Sequence, residues 1–140
     1  MYSGFSTDFM DKKYKSTKPS IYTREFHKRY GKEYTTLQSK SDISGIPYSI
    51  LKKVYNKGKA AWRLGHRVGA TQSQWAYARV NSFITFGCTL FTADYYLFLD
   101  ALHLMSKKNI KRWLSYNISC PNYQTKKFYH DYIIIKQKYL

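Results

Sequence analysis

Residues 44 to 87 constrain the fold more than any other stretch: SGIPYSILKKVYNKGKAAWRLGHRVGATQSQWAYARVNSFITFG. Ser44-Gly45 breaks the chain, and Pro47 suits a first helical turn, where its missing N–H has no partner in any case. Ile46, Ile50, Val54 and Ala61 recur at helical spacing, with Leu51 and Trp62 beside them. Lys52, Lys53, Lys57 and Lys59 fall mostly off that stripe, so one helix face is apolar and the other cationic. Gly58 costs about 1 kcal/mol relative to Ala inside a helix, which is tolerable where another backbone packs closely. Gly65 is a stop signal. Thr71 then starts a second helix as its N-cap, with Gln74 completing a capping box. Trp75, Ala76, Val80, Phe83 and Ile84 give that helix an apolar face, and Gly87 ends it. Two helices joined by so short a loop should pack as a helical hairpin. The expected core residues are Ile50, Val54, Trp62, Trp75, Val80 and Phe83, with Leu102 from a later helix.

The connecting loop, Gly65-His66-Arg67-Val68-Gly69-Ala70, carries the chemistry to be weighed. Arg63, His66 and Arg67 lie just before a helix N-terminus, where free N–H groups and the helix dipole favour an anion. Arginines add charge and forked donors, so one reading is a phosphate or carboxylate site. In the other, Arg63 and Arg67 cap the last carbonyls of the first helix and His66 is buried and hydrogen-bonded.

A long motif in this stretch carries a family resemblance. It comprises Gly45-Ile46-Pro47, Leu51, Val54-Tyr55, Gly58, Ala60 through Arg63, Gly65 through Arg67, Gly69 through Thr71, Gln74 through Ala76, Ala78 through Val80 and Ser82-Phe83. It resembles an uncharacterised family of large DNA viruses and tailed phages. The resemblance implies a viral source and a role in the virion or with the genome. It implies no mechanism and no catalytic residues.

The flanks are less ordered in pattern. Residues 1–43 are expected to be a basic, Tyr-rich arm: residues 22–34 allow a short helix with Phe26 and Tyr30 on one face, and residues 35–44 read as polar turn. The helical core is expected over 44–116. Within it, Thr92 is read as the cap of a third helix with Asp94 in its first turn, and Lys107 and Lys108 at its end. His103 on that helix is expected to be partly buried. A fourth short helix is expected near residues 109–116, with Ile110, Trp113 and Leu114 apolar. Residues 117–140 form a basic aromatic tail whose Tyr132-Ile133-Ile134-Ile135 suits a strand, a helix turn or an edge strand added to a partner. The expected class is therefore mainly α: a small helical core with basic N- and C-terminal arms.

Charge narrows the partners. The 140 residues carry 24 Lys+Arg against 8 Asp+Glu, a formal net charge of +16, which favours an anionic partner. No Asp or Glu occurs between Ile43 and Ala93, whereas seven cations do: Lys52, Lys53, Lys57, Lys59, Arg63, Arg67 and Arg79. These, with His66, are the candidate anion-binding residues. Fifteen tyrosines suit an interface, although an AT-rich genome enriches Tyr and Lys as well. Cys88 and Cys120 lack metal-ligand spacing; free thiols are the default expectation, with a Cys88–Cys120 bridge as the alternative. No metal or cofactor is expected. There is no signal peptide and no apolar run long enough to span a bilayer, so a soluble chain in the cytoplasm or in a particle assembled there is expected.

No close carboxylate pair, nucleophile elbow, P-loop or dinucleotide fingerprint is present, so the chain is read as non-enzymatic. The first expectation is a small minor capsid or cement protein of a virion, whose arms bind other capsid proteins. The alternative is a genome-associated protein that holds viral DNA through the acid-free hairpin and Arg79.

Overall fold

The computed structural model describes residues 19–65 and 69–140, and all regular structure among them is helical. Seven α-helices follow one another: α1 Ile21–Tyr30, α2 Leu37–Ser44, α3 Tyr48–Gly65, α4 Gln72–Ile84, α5 Tyr95–Leu104, α6 Lys107–Leu114 and α7 Tyr129–Tyr139. Short 3-10 turns lie at Cys88–Phe91 and Tyr123–Thr125.

The expected hairpin is α3 against α4, the most extensive helix–helix contact among the described residues. Pro47 sits just before α3, and its carbonyl accepts from the N–H groups of Ile50 and Leu51. Ile50, Leu51 and Val54 are buried on one side of the helix. A Cβ at Gly58 would lie 2.8 Å from the Ala76 Cα, so the glycine lets the two backbones approach. Thr71 and Gln74 form the reciprocal capping box at the start of α4. Of the expected core residues, Ile50, Val54, Val80 and Phe83 are fully enclosed, whereas Trp62, Trp75 and Leu102 are half-buried. Trp62 spans the hairpin instead, donating from Nε1 to the Ala70 carbonyl at 2.9 Å.

The end of α4 organises the aromatic core. Gly87 N–H donates to Ser82 O and Phe86 N–H to Phe83 O, the paired bonds of a left-handed helix terminus. Phe86, not Gly87, takes the left-handed conformation, at φ 60. This is costly for a bulky residue and is held here by burial. Its ring lies 5.1 Å from Trp113 and 5.5 Å from Tyr132, centroid to centroid. Its carbonyl accepts from Ser119 and Cys120. Gly87 is needed for space: a Cβ there would collide with Ser82 Oγ and approach Tyr22 Cε1 to 2.8 Å.

Both flanks depart from the arm-like expectation where they are described. Phe26 of α1 and Leu37 and Lys40 of α2 are buried. Thr36, expected in a polar turn, instead caps α2 through a capping box with Ser39. Residues 1–18 of the expected arm lie outside the described residues. The tail residues Tyr132 through Ile135 belong to helix α7, and Tyr132 is fully buried among Phe86, Phe91 and Phe98. Periodicity underestimated both segments because each contributes only one or two deep anchors, and tertiary burial outweighs weak local preference.

Three further expectations are corrected. Cys88 and Cys120 form a disulfide, closing the chain between the first 3-10 turn and the segment before α7. His103 is exposed on α5. Lys107 and Lys108 open α6, whose N-cap is Ser106, because α5 already ends at Leu104.

Candidate anion-binding surface

The cationic side of α3 divides into two groups according to what the fold places beside it. Lys57 projects toward the turn before α5, where its Nζ lies 2.7 Å from Asp94 Oδ1 and donates to the Ala93 carbonyl at 2.8 Å. Arg79, from α4, reaches the same carboxylate with two parallel donors: Nε to Oδ2 at 3.0 Å and Nη2 to Oδ1 at 2.8 Å. Asp94 is fully buried, and both cations are partly so. Arg79 and Lys57 thus answer an internal anion. Asp94 occupies the N-cap position of α5 without capping it, since its carboxylate is turned toward the cations. Such a forked, enclosed ion pair fixes geometry and would leave uncompensated charge if one partner were removed.

The second group faces solvent. Lys52, Lys59 and Arg63 follow one another along the side of α3 opposite Ile50 and Val54, at spacings of seven and four residues. The Lys52 and Lys59 ammonium groups lie 5.9 Å and 5.8 Å from the centroid of the Tyr55 ring, one turn to either side of it. Tyr55 is held by an edge contact with Tyr77 at 5.0 Å and by its hydroxyl beside Ser73 Oγ at 3.3 Å. Lys53 is exposed but turned away from this row. Among the described residues, none of the ion pairs engages Lys52, Lys53, Lys59 or Arg63.

The sequence-based candidates therefore do not converge on one point. His66 and Arg67 lie outside the described residues. At the start of α4, the capping box already occupies the N–H groups of Gln74 and Thr71, two donors that a bound anion would otherwise use. The hairpin end is tied down by Gln72 Nε2 donating to the Lys59 carbonyl at 3.2 Å. Arg63 is exposed there.

Two features escaped the sequence reading. Asp94 follows directly on the acid-free stretch, and that position was the only hint that it supplies the stretch's counter-charge. Lys40 is 3% exposed and donates to Asn81 Oδ1 at 2.9 Å, while Asn81 Nδ2 donates to Thr23 Oγ1 at 3.0 Å. Its ammonium stands 3.8 Å from the centroid of the Phe26 ring. Desolvation lowers its pKa from 10.5 to about 8. The spacing of Leu37, Lys40 and Ser44 on one helix face was the available signal.

Among the described residues no group of three or more His, Cys, Asp or Glu side chains is placed to hold a metal ion. No helix among them is long and apolar enough to cross a membrane. No curated protein and no solved structure matches the chain. Residues 2–95 match the model of a family of unknown function, DUF5824, a span that takes in the buried lysine, the hairpin and Asp94, and the chain belongs to that family.

Proposed function

We propose that this chain is a non-enzymatic binding protein that holds nucleic acid against the solvent face of α3. The observation that carries the reading is the row Lys52, Lys59 and Arg63, outside the ion pairs that Asp94 makes and interleaved with the Tyr55 ring. At about 1.5 Å of rise per residue, the row extends about 16 Å, the reach of several successive phosphates. The mechanism is displacement of condensed counterions by lysine and arginine, with no base-specific element. A net charge of +16 steers the encounter.

The test is binding of the full chain to duplex DNA across a salt series. Replacing Lys52, Lys59 and Arg63 together by Ala should weaken binding and reduce the log–log salt slope by about 2 to 3. An unchanged slope would remove these residues from the interface.

A second reading is a minor structural protein of a virion, bound to other capsid proteins. The resemblance of the 45–83 motif to proteins of large DNA viruses and tailed phages supports it. So does the Cys88–Cys120 bridge, because disulfides persist at virion surfaces and are rare in reducing compartments. Stepwise salt and detergent stripping of purified particles separates the readings: release with the genome favours the first, and release with the shell favours the second.

A further inference from the structure

Along the solvent side of α3, rings and cations alternate. Tyr48, Lys52, Tyr55, Lys59 and Arg63 follow at steps of four, three, four and four residues, which keeps them on one stripe of the helix. At about 1.5 Å of rise per residue the stripe runs about 22 Å. Tyr48 opens it and is 42% exposed. Tyr55 is half-buried and braced, with its ring 5.0 Å from Tyr77 at an interplanar angle of 68° and its hydroxyl beside Ser73 Oγ. Desolvation, then the neighbouring Tyr55 and, more weakly, Tyr48 hydroxyls, push the Tyr77 hydroxyl above its ordinary pKa, so the three phenols form one cluster beside the cations.

Charge alone favours a duplex, which carries one phosphate charge per ~1.7 Å of axis against one per ~3.4 Å on each strand. The bases of a duplex are stacked on one another and offer a protein ring no free face. Unpaired bases do, whatever their sequence, and aromatic side chains between cations are the usual platform for them. A ring that is already braced loses little freedom when a base stacks on it. Cations three or four residues to either side are its neighbours on the helix surface, placed for the phosphates that flank a stacked base. We propose that the Tyr48–Arg63 stripe of α3 is a single-strand platform: unpaired bases stack on Tyr48 and Tyr55 while Lys52, Lys59 and Arg63 hold the phosphates between them. This rests on the reading of the same face as a nucleic-acid surface, and narrows its ligand to a strand with unpaired bases.

The test is binding of the full chain, at matched salt, to a thymidine oligomer of about 16 nucleotides and to a duplex of the same length. The ratio of strand to duplex affinity should exceed one. Tyr48→Leu with Tyr55→Leu should lower that ratio roughly tenfold or more, by weakening the strand and not the duplex. The salt slope should stay as it was, because no cation is removed. Tyr48→Leu alone, at an exposed position, should take part of that loss with an unchanged melting curve. Tyr55→Phe keeps the ring and loses only the hydroxyl beside Ser73, so it should bind the strand as wild type does. A wild-type ratio below one, or a ratio that neither leucine variant moves, would overturn the platform. If the ratio fails while alanine at Lys52, Lys59 and Arg63 still flattens the salt slope, the charge contact stands and the stacking is wrong. If that slope is unchanged, the surface itself is wrong.

Discussion

Lys40 is charged in the unfolded chain and enclosed in the folded one, where its ammonium donates to Asn81 and lies over the Phe26 ring. Its folded pKa of about 8 lies below the ordinary 10.5, so the fold disfavours the protonated form. Below pH 8 both states carry the proton and the full penalty is present. As pH rises from about 8 toward 10.5 the folded amine is already neutral, and the penalty fades. The protein should therefore gain stability across that window, by about 3 kcal/mol for this group. The buried Tyr30 and Tyr132 act in the opposite direction: desolvation raises both hydroxyls well above 10, and their contribution is lost in strong alkali. Urea titrations at pH 7.5, 8.5 and 9.5 should show wild type rising relative to Lys40→Met. Parallel curves for the two proteins would show that Lys40 keeps an ordinary pKa.

At the scale of helices, the α3–α4 contact rests on the absence of a side chain. Elsewhere in a helix Gly58→Ala would stabilise by about 1 kcal/mol through backbone preference. Here the added methyl meets backbone, the Ala76 Cα at 2.8 Å, which cannot turn aside as a flexible side chain would. The two helices must move apart, loosening Val54 and Val80 together. A net loss of about 1 to 3 kcal/mol is expected in chemical denaturation, opposite in sign to the propensity effect. This hairpin was legible in the sequence because its signals are local: apolar period, caps and two flanking breaks. The α2 helix was not, because its octet LQSKSDIS has a weak apolar pattern and places a lysine inward. Nor was the route of the α5 start, since Asp94 reads as a dipole-matching first-turn acid until Arg79 and Lys57 are seen beside it.

For the whole molecule, the Cys88–Cys120 bridge holds the C-terminal segment to the turn after α4, at a sequence separation of 32. By chain entropy a loop of this size contributes about 3 to 4 kcal/mol. Reduction, or Cys88→Ser with Cys120→Ser, should lower the urea midpoint accordingly while the far-ultraviolet spectrum stays helical. The helical content should persist because the Phe86, Phe98, Trp113 and Tyr132 rings pack against one another through contacts that do not involve the sulfurs. An unchanged midpoint would mean that the reduced, unfolded chain is already held together in this region.

The sequence by itself determined the helical class, the hairpin, its caps and the excess of positive charge, because each depends on residue type and short spacing. Tertiary structure alone decided which cations remain available. Lys57 and Arg79 were indistinguishable from Lys52 and Lys59 by sequence, yet one buried carboxylate, 15 residues beyond Arg79, claims the first pair and leaves the second facing solvent. It also decided that residues 19–43 and 117–140 are structural parts of the core and that two distant cysteines meet. The physical reason is common to all three: charge pairing, deep anchoring and covalent closure are set by distance in space, which local pattern does not encode.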